Sequence, residues 1–541
     1  MKFIPDIVGS SIKLSIILIL SINIFASDEI TLNWLKNKPR TIAKDFYIWQ
    51  YLNQDITPNQ AIEALGEVKN INWKLIYRYS NKLKDNDLDK VVKCKKAKGK
   101  DLVNKDASCI KIGMSTFQAT KLNSDELDTI IDKTKNIYPD INKKFQIINS
   151  TLPFTKLCSS KNSIFFDTFN QCGSKFRINN FNYPLPKKTI SRLIDEKKFE
   201  TTIKLIVTTP QLNKIQTSLF DINTTKLTHL SIFYLALNAI NHNKEDLALK
   251  YLKAANNKAY FQFDKDKILF WKYQITEDQK SLEDLSNSWD INIYSLYALE
   301  LTNKKPKNIF YDIKQTNNKN IHFNTSSPFS WFPILNKSRK ISNDEFKKYS
   351  NIFTEDSTLP HLAFISERFY RYKNSYFITP FKKDLEGINN KRKALIYAIA
   401  RQESRFIPTS ISTAYAMGVM QIMPFLSRAI AKELKDIYNI NEQLKPEVNL
   451  RYANHHLNFL EKKLKHPLLI SYAYNGGIGF TKNIVLKRYF KNNKYDPYLS
   501  MEMLPYNETR KYGKKVLANY YIYANYLGEN ISIKELFKTI N

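Results

Sequence analysis

Apolar residues return at helical spacing along most of this chain, in short runs separated by polar breaks. Within residues 228–255, Leu230, Phe233, Leu235 and Leu237 form one run. His242 and Asn243 interrupt it, and Leu247, Leu249, Tyr251 and Leu252 resume it. Residues 265–275 and 291–301 repeat the theme at similar length. The spacing predicts short amphipathic helices joined by polar turns. Stacked as hairpins from about residue 30 to 350, they make a mostly α superhelical array with no strict repeat. Such an array buries its core between neighbours and presents a long curved surface. Residues 303–320, rich in Lys and Asn, read as a junction. Residues 94–181 have poorer helical periodicity and predict a strand pair or an irregular subdomain.

Pro380, Gly387 and Asn389-Asn390 break the pattern again, and about 160 residues follow, enough for an independent domain. Glycine agrees with this division. Of 12 glycines, 7 lie after residue 386, where the backbone must turn sharply or approach something closely. The expected organisation is a signal peptide over 1–26, a superhelical body over 27–340 containing the segment 94–181, a linker domain over 341–380, and a C-terminal domain over 381–541.

The signal peptide rests on residues 14–25, apolar except for Ser15, Ser21 and Asn23, with Lys2 and Lys13 before it and Ala26 after it. The run is too short to span a bilayer and fits an export signal. Export predicts a periplasmic protein without stable membrane insertion, and it changes the reading of the charge. A net +32 at pH 7 suggests an anionic partner, but for an exported chain nucleic acid is excluded and anionic envelope polymers are favoured. Export also changes the reading of Cys94, Cys109, Cys158 and Cys172. An even, clustered set predicts two disulfides, locally paired as Cys94–Cys109 and Cys158–Cys172. Zinc is the weaker reading, because no CxxC spacing or accompanying histidines occur.

The chemistry concentrates in the last third. Leu395, Ile396, Ile399 and Ala400 mark a buried stripe on a helix, and Glu403 falls on the same stripe. Burial disfavours the charged carboxylate and raises its pKa, as a general acid near neutral pH requires. Taken alone, Glu403 reads first as structural, paired with Arg401 or Arg405. A polar loop with Ser410, Ser412 and Thr413 follows, then the run Ala416-Met417-Gly418-Val419-Met420-Gln421-Ile422-Met423-Pro424. Pro424 is suited to open a helix to about Lys435, leaving Gln421 and Met423 at a cleft edge; the three methionines by themselves read as core filler. Pro446 and Pro467 open two more helices, the second ending at Asn475-Gly476-Gly477, where a sugar or backbone can come close. Tyr474 and Asn475 stand at that mouth. A last long helix spans about 508–527, with Glu508 favoured by the dipole at its start. His455-His456 are helix neighbours that point apart and suggest no site.

In this order, Glu403-Ser404, the Ala416–Pro424 run, Ala473-Tyr474-Asn475-Gly476-Gly477 and Pro505-Tyr506-Asn507-Glu508-Thr509-Arg510-Lys511-Tyr512 resemble the catalytic domain of the soluble lytic murein transglycosylases, a goose-lysozyme-like fold. The motifs cover about a quarter of the chain, residues 391–526. The large periplasmic members share the order of helical array, linker and catalytic domain. The resemblance implies that Glu403 is the sole catalytic glutamate, with Tyr474 close to its carboxyl. It implies a glycan groove lined by Ser412 near an N-acetyl group, Gln421, Met423, Asn475 and Glu508. Tyr415 stands where a small residue is usual, Met417 replaces a frequent serine, and 475–479 lacks the usual Ala-Gly-Pro order, so subsite shape is expected to differ.

Most glycosidases use two carboxylates; the resemblance implies one. Neutral Glu403 would protonate the glycosidic oxygen between N-acetylmuramic acid and N-acetylglucosamine, and the substrate's own N-acetyl oxygen would stabilise C1. Ionised Glu403 would then take the C6 hydroxyl proton, giving a 1,6-anhydro sugar without water, cofactor or metal. Two other readings stand beside this one. A hydrolytic goose-type lysozyme would need a second carboxylate to activate water, for which Glu508 is the candidate. A non-catalytic wall-binding scaffold would use the helical array alone.

Overall fold

Polar residues written into the chain fix where its helices begin. Thr31, Thr41, Thr57, Asn72, Asp85 and Asp106 each accept a hydrogen bond from the backbone N–H three residues on, satisfying a donor the helix itself leaves unpaired. The computed structural model describes residues 29–316, 322–487, 489–491 and 493–540, so the apolar run at 14–25 lies outside it. Short helices succeed one another from Leu32–Lys36 to Ile293–Leu301. They pack as sequential neighbours: Phe199–Val207 on His229–Asn241, that helix on Glu245–Asn256, and Gln262–Thr276 on Gln279–Ser286. Their facing sides bury Phe165, Phe169, Phe181, Ile206, Leu235 and Trp271.

The segment 94–181 is helical, against the expected strand pair. Its elements, Gly99–Val103, Ala107–Gly113, Thr116–Ala119, Ser124–Thr134, Pro139–Ile148, Pro153–Ser159, Asn162–Gln171 and Ser174–Phe181, run from 4 to 11 residues. Each contributes only a few inward side chains, too few for a 3.6 period to register. Their starts are nevertheless legible, because Ser115 with Gln118 and Asn123 with Glu126 form capping boxes.

Cys94 and Cys109 form a disulfide with Cα atoms 5.1 Å apart. The second expected bridge is absent: Cys158 and Cys172 are free. Cys158 precedes the helix Asn162–Gln171 and Cys172 caps its far end. The ten-residue helix between them is about 15 Å long, more than the ~7 Å between Cα atoms that a disulfide spans. Burial pushes both thiols up to about 11.

A two-residue parallel pairing, Ile309–Phe310 with Ser375–Tyr376, encloses a small helical unit. Pro328–Lys337, Asn343–Ser350 and Leu359–Phe369 pack around Trp331, Tyr349, Phe353, Leu362 and Ile365, joined by Ile407 from further along the chain.

In the C-terminal region Pro424, Pro446 and Pro467 each occupy the first position of a helix, as expected: Pro424–Leu434, Pro446–Leu464 and Pro467–Gly476. The helix Asn390–Glu403 lies along Asn507–Tyr526, which also packs on Pro467–Gly476. Gly513 permits that second approach, since a Cβ there would sit 2.2 Å from the Tyr472 ring.

The helical array meets this region near both of its ends. At one, Phe46 and Trp49 pack against Tyr415, each 5.6 Å between ring centroids. At the other, buried Lys514 and Glu502 pair at 2.8 Å, and Tyr294 of the array bonds both. Glu300 accepts from the Ile533 N–H at 2.7 Å and the Ser532 hydroxyl at 2.6 Å. No helix among the described residues is long and apolar enough to cross a membrane.

Candidate active site

Asn389 caps the helix Asn390–Glu403 by accepting from the Arg392 N–H. The expected stripe is wider than predicted: Ala394 to Ala400 are all buried, because the helix is enclosed by its neighbours. The helix stops after Glu403. Arg405 and Phe406 follow with φ of 55° and 65°, a left-handed turn unfavourable for residues with a Cβ.

The two arginines beside Glu403 point elsewhere. Arg401 Nη2 lies 2.5 Å from Glu367 Oε1, and Arg405 Nη1 lies 3.4 Å from Glu367 Oε2. Arg401 also stacks on Phe377, 4.1 Å from its ring centre. The structural pairing that the sequence favoured is therefore met by Glu367, a residue sequence reasoning passed over. Glu403 keeps a different partner. Its Oε1 accepts a hydrogen bond from the Tyr512 hydroxyl at 2.7 Å. Burial pushes the Glu403 carboxyl up to about 7; the Glu508 charge adds to the rise, while the Tyr512 bond opposes it. Burial, then the charge of Glu403, raises the Tyr474 and Tyr512 hydroxyls well above their ordinary value, so both stay neutral donors.

A loop forms the wall next to this carboxyl. Ser404 Oγ donates to Val419 O at 2.7 Å, and the Tyr474 hydroxyl donates to Met420 O at 2.8 Å. Tyr474 thus holds the loop backbone beside Glu403 and makes no hydrogen bond to Glu403 itself. Gln421, at φ 48°, turns its amide back to donate to Ser410 O and Gly418 O. Ser412 Oγ accepts from the Ala416 N–H at 2.9 Å, within the same loop. Met417 and Met420 are buried, as core filler should be, and Met423 is half-exposed at the helix start. Gly418 has φ 78°, and a Cβ there would meet Gln443 O at 2.2 Å.

Two supporting residues escaped the sequence reading. Asn449 Oδ1 accepts from the Met420 N–H at 2.7 Å, and its Nδ2 donates to Met417 O and Gln443 Oε1. The available signal was an asparagine four residues before Ala453 and eight before Leu457, on the apolar stripe of the helix Pro446–Leu464. Tyr512, quoted as part of a motif but given no role, lies four residues after Glu508 and so on the same helix face.

Asn475 links two helix ends. It accepts from Thr509 Oγ1 at 2.8 Å and donates to Glu508 Oε1 at 3.3 Å. Gly476 serves this packing: a Cβ would come within 2.7 Å of Thr509 Oγ1, so the close approach is to protein. Arg510 is buried and donates to Leu504 O and Asn507 Oδ1, and to the Tyr234 hydroxyl of the array. The adjacent histidines diverge as expected, His455 to Glu433 at 2.7 Å and His456 against Phe459 and Tyr474.

Most of this site lies on a segment that matches a known domain. Residues 382–497 match the family model of the Transglycosylase SLT domain. Glu403, Ser412, Gln421, Met423, Tyr474 and Asn475 fall inside the SLT match, whereas Glu508 and Tyr512 lie beyond it. The chain is 31% identical over 135 residues to the soluble lytic murein transglycosylases of Salmonella typhimurium and of Escherichia coli strain K12, covering 24% of this chain and 20% of each relative. It is 32% identical over 145 residues to a putative soluble lytic murein transglycosylase of Haemophilus influenzae, covering 26% of this chain and 24% of the relative. The matched region thus spans about a fifth to a quarter of the length of these curated relatives. Among solved structures, an inactive mutant of the lytic transglycosylase Slt from Pseudomonas aeruginosa aligns over 94% of this chain and 90% of its own, at 15% identity and TM-score 0.47. The 70-kDa soluble lytic transglycosylase of Escherichia coli aligns over 92% and 83%, at 16% identity and TM-score 0.47.

Proposed function

We propose that this chain is a peptidoglycan lytic transglycosylase that cleaves the β-1,4 bond between N-acetylmuramic acid and N-acetylglucosamine without water. The observation that carries the proposal is Glu403: a carboxyl raised to about 7, held by Tyr512 and free of the neighbouring arginines, on a segment that matches the SLT domain.

Protonated Glu403 donates to the glycosidic oxygen as the C1–O bond breaks. The substrate's N-acetyl oxygen takes up the positive charge at C1. Glu403, now ionised, removes the proton of the C6 hydroxyl, and that oxygen attacks C1 to close the 1,6-anhydro ring. One group gives and takes a proton, so a pKa near the working pH serves both steps. Tyr512 stabilises the ionised form between them. Tyr474 acts through Met420, fixing the groove wall. Ser412, Gln421, Met423, Asn475 and Glu508 line the groove, with Asn475 keeping Glu508 oriented. No metal or cofactor takes part.

The substrate is the glycan strand of peptidoglycan in the periplasm, reached by the export signal at 1–26; nucleic acid is not a partner. We infer a body up to the strand Ile309–Phe310, a linker that takes in the Pro328–Lys337 helix because it shares a core with Leu359–Phe369, and a catalytic domain from about residue 381.

The test is digestion of purified peptidoglycan followed by mass spectrometry. Wild type should release 1,6-anhydro ends, and Glu403→Gln should release none while keeping its helical content and melting temperature. Full activity in Glu403→Gln would overturn the assignment.

A further inference from the structure

We propose that the N-terminal helices hold the groove loop 410–423 in its working shape through Tyr415, which makes Tyr415 a positioning residue for the glycan site. The inference rests on the function proposed above.

Tyr415 sits at φ 64° and is 1% exposed. A left-handed tyrosine persists only where its surroundings over-determine it, and here those surroundings come from residues more than 300 positions earlier. Its ring is gripped by Phe46 and Trp49 of the helix Ile42–Tyr51, each 5.6 Å between centroids. Lys74 lies 5.2 Å over the ring and donates to Ala414 O at 2.5 Å. Asn72 Nδ2 donates to the Tyr415 hydroxyl at 3.1 Å, and that hydroxyl donates to Asp45 O at 3.4 Å. The grip is itself fastened. Asp45 Oδ1 and Oδ2 accept from the Lys69 and Asn70 N–H groups at 2.7 and 3.0 Å, which ties the helix Ile42–Tyr51 to the segment that leads into the helix Trp73–Leu83. Buried Met417 shares the same apolar cluster.

From Tyr415 the restraint runs on through the loop. Met417 and Ile422 exchange both backbone hydrogen bonds at 3.0 Å, and the Gly418 N–H donates to Ser410 O. The next two residues, Val419 and Met420, are those whose carbonyls accept from Ser404 and Tyr474. The loop is therefore pinned by the array at Tyr415, by Asn449 at Met417 and Met420, and by Ser404 and Tyr474 at Val419 and Met420. Gln421 and Met423 lie just beyond, so releasing Tyr415 should loosen the groove without touching Glu403 or Tyr512.

The test changes only the array side of the contact. In Phe46→Leu/Asn72→Ser the serine keeps the cap of the helix Trp73–Leu83 but is too short to reach Tyr415. Amide hydrogen exchange and steady-state kinetics on soluble glycan strands are then compared with wild type. Exchange at the Ala416, Met417, Gly418 and Ile422 amides should rise about three- to tenfold, with the amides of the helix Asn507–Tyr526 unchanged. KM should rise about three- to tenfold, as for the loss of one or two modest contacts, with the pH dependence of kcat unmoved. Unchanged exchange in the loop, or unchanged KM, in a folded variant overturns the inference. Should the double variant fail to fold, Asn72→Ser alone is read by the same criteria. A wild type that forms no anhydro product refutes the proposed function, while the exchange measurement still decides the positioning.

Discussion

Tyr512 donates its hydroxyl hydrogen to Glu403 Oε1 at 2.7 Å, joining two helices across 109 residues of sequence. The bond opposes the burial that raises the Glu403 carboxyl. The site therefore balances two forces, one favouring the protonated carboxyl and one favouring the ionised form.

That balance predicts opposite shifts in the pH profile. In the proposed mechanism Glu403 donates when protonated, so kcat/KM should fall about tenfold per pH unit above roughly 7. Tyr512→Phe removes a bond that stabilises the carboxylate, so the falling limb should move to higher pH. Glu508→Gln removes a charge that destabilises it, and the limb should move to lower pH. The check is a pH series of initial rates on soluble glycan strands; shifts in the same direction would refute the balance.

Glu367 neutralises both arginines that flank Glu403. Arg401 and Glu367 are each 5% exposed. Glu367→Ala leaves a buried guanidinium without its counter-charge, at a cost of about 3–5 kcal/mol. Denaturant unfolding should record a loss of that size, with the Cys94–Cys109 disulfide intact in both samples.

The thiol count distinguishes one disulfide from two. Unfolded without reductant, the protein should yield two reactive thiols, Cys158 and Cys172, and four after reduction. Neither thiol should react readily in the folded state, because burial raises both to about 11. Cys94→Ser should cost about 3 kcal/mol, the scale expected for a closed loop of this length.

Tyr474→Phe removes the donor to Met420 O and nothing else in the loop. Turnover should fall by roughly tenfold through a misplaced groove wall, with the melting temperature shifted by only a few degrees. A kcat equal to wild type would remove Tyr474 from the site.

The helical class, the helix starts at Pro424, Pro446 and Pro467, and the placement of Glu403 on an apolar helix were legible because each is written locally, in periodicity or in a backbone rule. What was not legible depends on distant contacts. No local pattern assigns Arg401 and Arg405 to Glu367, more than thirty residues away, so the structural reading of Glu403 looked stronger than it is. The grip of Phe46 and Trp49 on Tyr415 is equally invisible to spacing. Tyr512 and Asn449 are intermediate cases: one shares a helix face with Glu508, the other is a polar residue on a buried stripe, and both signals were present. The second disulfide failed for a geometric reason, since a helix lies between its two cysteines.

The most direct test of Glu403 as sole acid and base is cleavage of peptidoglycan in heavy-oxygen water, with product ends weighed by mass spectrometry. Closure by the C6 hydroxyl predicts anhydro-muramic ends with no label. Labelled reducing ends would show that water attacks C1, and would contradict the one-carboxylate mechanism.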